Sequence, residues 1–168
     1  MSDDRFEELH LRRLLVAVDG SASGRLALRA AVTAALRDNA AITLLSVAVD
    51  AAKSAASFAA VAGAPPPEQT ELDAFAEKAL AESVRLIPAE IPVRKLMRRG
   101  HAGPEIVAAA RESDYDAILL GARGVGRIGG LIGSVSSYVM RHAEIAVFVA
   151  HAARSEGAGR DELSNLRS

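Results

Sequence analysis

Five short strand-like runs, four of them largely apolar and the third charged, alternate with segments of helical spacing and decide what this chain can fold into. The runs are brief and continuous, as in buried parallel strands. They cover residues 14–18, 42–49, 93–97, 117–120 and 145–150. Strands that alternate with amphipathic helices pair in parallel through right-handed crossovers. The sequence therefore predicts an α/β fold: a three-layer, Rossmann-like sandwich whose open, doubly wound parallel five-stranded sheet has helices on both faces and the order 3-2-1-4-5.

The 168 residues suit a single domain, which we predict over residues 11–151. Residues 1–10 form a charged N-terminal extension, and the polar, aperiodic residues 152–168 are expected to be a disordered tail. Residues 50–67 show no clear period and include three consecutive prolines, which predicts a long, mobile connection. The charged third strand suits one edge of the sheet, and the apolar fifth strand would form the other.

Composition narrows the possible partners. A net charge of −1, 4% aromatic residues and no tryptophan argue against a nucleic-acid partner. No run approaches the ~20 apolar residues of a membrane span, so we expect no membrane partner. The chain has no cysteine, which fits a reducing cytoplasm and excludes disulfides and thiolate catalysis. Its four histidines are far apart and predict no metal site.

The glycine-rich segment GARGVGRIGGLIGSVS, residues 121–136, directly follows the fourth strand and leads into a helix. Glycines let the backbone approach phosphate oxygens closely, and the helix start adds N–H donors and a positive dipole end. Ligands of doubly wound sheets bind at the carboxyl ends of strands near the switch in strand order. Asp19 ends the first strand and Gly121 the fourth, so both would face one crevice that holds a nucleotide.

The glycine-rich segment and Asp19 also allow other interpretations. Residues 124–129 match the dinucleotide pattern G-x-G-x-x-G, but they follow the fourth strand, and no acidic residue ends the next strand. The phosphate-loop pattern is absent because no lysine precedes Ser134, so backbone amides and the Ser134 and Ser136 hydroxyls would hold phosphates. Asp19, in Asp-Gly-Ser, is equally a common turn residue, and the residues alone leave both roles open.

At this point the sequence resembles the universal stress proteins, whose nucleotide-binding branch carries G-x-x-G, nine residues, then G-[ST]. Residues 121–124 and 133–136 look like the two halves of that motif. Residues 14–21 resemble the first strand and turn of the family, and residues 100–124 resemble the run into the loop. The eight residues 125–132 between the halves make the spacing one residue shorter than the family pattern.

The resemblance implies a role for each matching position. Asp19 would bond the ribose or base, and the backbone of Ala17 and Val47 would contact adenine. The remaining residues would line the ribose and phosphates or bind the phosphates from the helix start: Gly121, Arg123, Gly124, Gly133, Ser134, Val135 and Ser136. The implied ligand is ATP, with Mg²⁺, and cAMP or AMP are alternatives because the adenosine half of the site would be shared.

The resemblance also implies a function: a cytoplasmic, ATP-binding stress-response protein that acts as a regulatory or protective homodimer on an unknown protein partner. The apolar edge strand from Ile145 to Ala150 supports pairing between two copies. At most weak ATPase activity is expected, because the loop lacks a lysine for the terminal phosphate. Two alternatives stay open: a nucleotide-dependent hydrolase or transferase, and a protein-interaction dimer without nucleotide.

Overall fold

The structure, a computed structural model, describes residues 10–55, 67–122 and 132–151. Its five strands pair in parallel in the order β3-β2-β1-β4-β5. They are β1 (Arg13–Ala17), β2 (Ala41–Ala48), β3 (Val93–Arg99), β4 (Ala117–Gly121) and β5 (Ala146–Ala150). The predicted fold class, strand order and edge strands are therefore confirmed. The predicted tail lies outside the described residues, as does most of the predicted long connection.

Within the described residues, four helices flank the sheet: α1 (Ala22–Asp38), α2 (Gln69–Val84), α3 (Ala102–Arg111) and α4 (Ser134–His142). Residues 51–55, directly after β2, are also helical. The Ser21 hydroxyl caps α1 by accepting a hydrogen bond from the backbone N–H of Gly24 at 3.0 Å. Asn39 ends that helix in the left-handed conformation, with φ 53°. No helix in the described ranges is long and apolar enough to cross a membrane.

The central strand β1 is buried on both faces. Leu14 and Val16 pack into a cluster with α1 and α2, whereas Leu15 packs on the opposite face with α3 and α4. All three side chains are fully inaccessible to solvent. Burying a side chain of this size contributes about 1.5–3 kcal/mol, which is why the uninterrupted apolar run forms the middle of the sheet.

The edge strand β3 carries basic residues and is tied to α3 by Arg98. This guanidinium is paired with Glu112 and lies 3.6 Å from the Glu105 carboxylate. The hydrogen bond from Arg98 lowers the pKa of Glu112, and Glu112 raises the pKa of Arg98. The pair thus holds α3 against the sheet while charges discourage pairing with a further strand.

The order of strands switches direction between β1 and β4. These two strands are direct neighbours, with Leu14 opposite Ala117 and Val16 opposite Leu119. The helix that follows β1 covers one face of the sheet, and the helix that follows β4 covers the other. The chain therefore leaves the two strands in opposite directions, and a crevice opens at their carboxyl ends.

Candidate functional site

A cavity of about 100 Å³ lies at the carboxyl ends of β1, β2 and β4, under the first turns of α3 and α4. It is far larger than the ~10–15 Å³ that one water needs, and smaller than the ~300–1,000 Å³ of complete ligand pockets. It therefore holds one part of a ligand, and the rest would lie over the open edge. Its walls are mostly apolar: Ala17, Val18, Asp19, Leu45, Val47, Ala102, Ile106, Leu120, Gly121 and Val135.

The backbone of Val47 faces into this cavity because β1 ends earlier than β2. Pairing of the two strands stops at Ala17 opposite Leu45, with one further hydrogen bond of 2.8 Å from the Val18 N–H to the Leu45 carbonyl. Since backbone groups alternate in direction along a strand, the N–H and C=O of Val47 point the same way as those of Leu45. They reach past the end of β1 and can bind a ligand.

Ala17 differs from Val47 in this respect. The backbone groups of the following residue, Val18, point to β2, so those of Ala17 point to β4 instead. Ala17 lines the cavity with its methyl group on the face covered by α3 and α4. The resemblance implied a backbone contact at this position, and the geometry offers an apolar one.

Asp19 shapes the turn, which is one of the two roles that the sequence left open, and it also lines the cavity, where its contact with a ligand stays a prediction. Its Oδ1 accepts a hydrogen bond from the backbone N–H of Ser21 at 3.0 Å, which shapes the turn before α1. The residue is half-buried and lines the cavity. Its Oδ2 makes no hydrogen bond with any other described residue. The turn therefore presents a carboxylate oxygen that can accept from a ligand hydroxyl.

Gly121 allows the end of β4 to touch the start of α1. A Cβ atom at this position would lie 2.5 Å from the Ser23 hydroxyl oxygen and 2.7 Å from the Gly24 backbone nitrogen. No real Cβ has such contacts, so glycine is required for this close approach. The contact brings the end of β4 to the turn that holds Asp19.

The two ends of the glycine-rich segment meet at one carbonyl. The Ala122 oxygen accepts hydrogen bonds from the Gly133 N–H at 2.6 Å and from the Ser136 hydroxyl at 2.9 Å. The Ser136 oxygen also lies 3.1 Å from the Gly133 oxygen, and the residue is only 1% exposed. In this arrangement the Ser136 hydroxyl and the Gly133 amide close the base of the segment, a role that the sequence did not predict for them.

The first turn of α4 offers the donors that remain. Gly133 is the N-cap, and no side chain in the described part of the chain caps the helix. Ser134 and Val135 are exposed, and Val135 also lines the cavity. The first N–H groups of a helix have no partner within it and carry the positive end of its dipole. This turn can therefore bind an anion beside the cavity.

The helices that border the cavity touch each other at a second glycine. A Cβ atom on Gly103 of α3 would lie 2.8 Å from the Tyr138 ring of α4. The Tyr138 ring stacks on His142 with 4.0 Å between ring centroids. This contact sets the separation of the two helices whose first turns cover the cavity.

Five predicted site residues line the cavity: Ala17, Asp19, Val47, Gly121 and Val135. Two others, Arg123 and Gly124, lie outside the described residues. Two lining residues at the start of α3, Ala102 and Ile106, were not among the predicted site residues, because apolar residues at helical spacing indicate a buried helix face and not a site. Within the described ranges, no three acidic or histidine side chains come together as a metal site.

The comparisons with known proteins agree with this fold. Residues 10–151 match the sequence model of the universal stress protein family, which confirms the resemblance found in the sequence. No curated protein matches the chain. Among solved structures, the universal stress protein UspA from Lactobacillus plantarum is 27% identical, with a TM-score of 0.69 over 84% of this chain and 99% of that chain.

Two further structures carry a nucleotide. The universal stress protein from Archaeoglobus fulgidus, solved in complex with dAMP, is 22% identical, with a TM-score of 0.61 over 84% of this chain and 98% of that chain. A universal stress protein solved in complex with cAMP is 20% identical, with a TM-score of 0.58 over 85% of this chain and 98% of that chain. At these identities the two structures support the fold.

Proposed function

Because this chain belongs to the universal stress protein family, we propose that it binds ATP in the cavity between β1 and β4 and acts as a regulatory stress-response protein. The observation that carries the proposal is the juxtaposition of three features. An apolar cavity, a carboxylate oxygen without a hydrogen bond to the described residues, and a helix start that none of these residues caps with a side chain lie together at the switch in strand order. The dAMP and cAMP complexes of related proteins support an adenine nucleotide as the ligand.

The base is assigned to the cavity. Its apolar walls exclude water from both faces of a flat ring, and the ring edge can bond with the Val47 backbone N–H and C=O. The ribose hydroxyls are assigned to Oδ2 of Asp19, which has no hydrogen bond with the described residues. This arrangement favours adenosine-type ligands, because a site that bonds both a ring edge and a sugar hydroxyl leaves polar groups unpaired when either is missing.

The phosphates are assigned to the first turn of α4. The N–H groups of Ser134 and Val135 supply donors, and the helix dipole favours the negative charge. Ser136 is assigned to the base of the glycine-rich segment instead, since its hydroxyl is buried and donates to Ala122. The predicted contacts of Arg123, Gly124 and Gly133 and the predicted Mg²⁺ stay predictions.

Regulation rather than turnover is proposed. Asp19 is the one charged residue among those that line the described cavity, and its Oδ1 is engaged in the turn. Hydrolysis needs a group that positions water and a cation on the terminal phosphate, and these lining residues supply neither. A steady release of phosphate by the purified protein that is lost on Asp19→Asn would favour the hydrolase alternative.

The homodimer and the cytoplasmic location stay predictions. β5 is an edge strand of the described sheet, and Phe148 on it is 44% exposed, which supports pairing with a second copy. Sedimentation equilibrium tests the dimer directly. A monomer at all concentrations would contradict it without affecting the nucleotide proposal.

The test removes a single backbone donor. Ser134 is the first residue of α4, where proline is well tolerated, and Gly133 before it has φ −67° and ψ 160°, which suits a residue preceding proline. Ser134→Pro therefore deletes one N–H and keeps the helix. Ser134→Ala is the matched control, because it removes the hydroxyl and keeps the N–H.

Calorimetric titration with ATP, AMP and cAMP reports the result. We expect Ser134→Pro to weaken ATP binding by about tenfold, the value of a hydrogen bond to a charged group, and Ser134→Ala to bind nearly as wild type does. Asp19→Asn should weaken all three ligands, since the ribose is common to them. Equal affinity of Ser134→Pro and wild type, or no binding of any of the three nucleotides, would overturn the proposal.

A further inference from the structure

A second cavity lies at the opposite end of the sheet, at the amino ends of β1, β2 and β3. Its volume is about 330 Å³, larger than that of the candidate nucleotide site. Five polar side chains line it: Arg13, Thr43, Arg94, Ser113 and Tyr115. This size reaches the ~300–1,000 Å³ range of small-molecule pockets. Nothing in the proposed nucleotide binding uses this end of the molecule.

Three of these side chains share one face of the sheet. Thr43 lies opposite Leu15 on one side and opposite Arg94 on the other. Arg13 precedes Leu15 by two residues and therefore points to the same face. The two arginines thus flank Thr43 on strands that are about 10 Å apart, the spacing of two strand intervals. Side chains as long as arginine can reach one ion from both sides.

Most of these polar groups have no partner among the residues that the structure describes. In the described part of the chain, the side chains of Thr43, Arg94, Ser113 and Tyr115 make no hydrogen bond or ion pair. Thr43 and Tyr115 are only 8% and 9% exposed. Since no fully buried side-chain oxygen is without a partner among the described residues, both hydroxyls open onto accessible space. Buried polar groups normally have partners, so these hydroxyls are available to a ligand.

Arg13 is only weakly engaged. Its guanidinium lies 3.7 Å from the Asp114 carboxylate, and both side chains are largely exposed, at 60% and 101%. Exposed pairs of this kind contribute about 0–1 kcal/mol and are easily exchanged for another partner. The Arg13 guanidinium can therefore turn to an anion in the cavity.

Two other carboxylates, those of Asp116 and Glu112, already interact with groups outside the cavity. Asp116 accepts hydrogen bonds from the backbone N–H groups of Arg12 and Arg13 at 2.6 and 2.7 Å. Glu112 is paired with Arg98. The second guanidinium of the cavity, that of Arg94, is exposed and forms no ion pair with a described residue, so its charge is available to an anion.

We propose that this cavity binds a small molecule through an oxyanion group, a carboxylate or a phosphate, held between Arg13 and Arg94. The planar guanidinium fork matches the geometry of two oxyanion oxygens, and the bonds are strengthened by charge. The Thr43 and Tyr115 hydroxyls donate to the same group or to its neighbour. This site is separate from the proposed nucleotide site, so each proposal can fail alone.

The test uses the full chain and three simple salts. Amide resonances of ¹⁵N-labelled protein are followed while sodium phosphate, sodium acetate or sodium chloride is added at matched ionic strength and constant pH. We expect saturable shifts at Thr43, Arg94 and Tyr115 with phosphate or acetate and not with chloride. Which of the two anions saturates first identifies the oxyanion.

Two variants on one strand separate a site from a general charge effect. Arg94→Gln should weaken binding of the anion by about tenfold. Lys95→Gln removes the same charge from the adjacent residue, which lies on the opposite face of β3 and does not line the cavity. It should bind as wild type does. Equal losses in both variants, shifts that chloride reproduces, or phosphate shifts confined to Gly121 and Ser134 would overturn the proposal.

Discussion

Replacing Ser136 by alanine tests whether the base of the glycine-rich segment contributes to stability. The hydroxyl donates to the Ala122 carbonyl at 2.9 Å and is 1% exposed. Its removal deletes a buried hydrogen bond that joins the end of β4 to the start of α4. The carbonyl is not orphaned, because the Gly133 N–H still donates to it at 2.6 Å.

The expected loss follows from these contacts. A buried hydrogen bond contributes about 0.5–1.5 kcal/mol net, and the full cost of an unsatisfied carbonyl does not apply here. Alanine is a better helix former than serine by up to about 0.5 kcal/mol, which offsets part of the loss. Ser137→Ala receives the same helix gain, and the Ser137 hydroxyl has no hydrogen bond with any described residue. The difference between the free energies of unfolding of the two variants therefore gives the contribution of the Ser136 hydroxyl, about 1 kcal/mol.

Thermal unfolding followed by circular dichroism measures this difference. For a chain of this length, 1 kcal/mol corresponds to about 2–4 °C in the midpoint. We expect Ser136→Ala to unfold about 2–4 °C below Ser137→Ala. If the two variants unfold at the same temperature, the Ser136 hydroxyl does not hold the segment closed, and the reasoning from the hydrogen bonds is wrong.

Two further predictions concern the contact between the end of β4 and α1, and the ion pair that joins α2 to the edge strand β3. Gly121→Ala should lower the free energy of unfolding by about 1–3 kcal/mol, since the new methyl would meet the backbone of α1; chemical denaturation measures it. Asp73→Asn should destabilise the protein at neutral pH and have no effect well below pH ~4. Hydrogen bonds from Arg99 and then Gln69 lower the pKa of Asp73, so its stabilisation is present above the unfolded pKa and is lost as pH falls through the folded one.

Each of these has its own control. Adding Ser23→Ala to the Gly121→Ala variant should not restore stability, because the Gly24 backbone nitrogen still lies 2.7 Å from the new methyl. Full recovery would mean that the Ser23 hydroxyl alone caused the clash. Glu77→Gln is the control for Asp73, since Glu77 is exposed on the same helix and has no ion pair with the described residues. A loss of the same size in Glu77→Gln would contradict the assignment to the Arg99 pair.

Much of the fold could be predicted from the sequence, because buried strands and helices leave a clear pattern of apolar residues. The run that became β1 is apolar at every position, since it is covered on both faces. The glycine-rich segment was predicted to lead into a helix, and α4 begins at Ser134. Asp19 and Gly121 were predicted to face one crevice, and both line the cavity.

The rest of the site depends on geometry that no local pattern encodes. The direction of the Ala17 and Val47 backbone groups follows from the register of β1 against β2, which only the packed sheet determines. The sequence pattern is the same whether the Ser136 hydroxyl faces a ligand or the Ala122 carbonyl. The pattern therefore cannot distinguish these two roles. Ile106 carries the period of a core helix, and its place at the cavity follows from where α3 begins.

The contact between Gly103 and Tyr138 has a consequence for how affinity can be adjusted. The Tyr138 side chain fills the space that a side chain at position 103 would occupy, so the backbone of α3 packs directly against the Tyr138 ring of α4. Their opening turns carry Ala102 and Val135 into the cavity wall. A bulkier residue at position 103 would push α3 and α4 apart and so widen the cavity. It would change the fit of a ligand from a position that does not itself line the cavity.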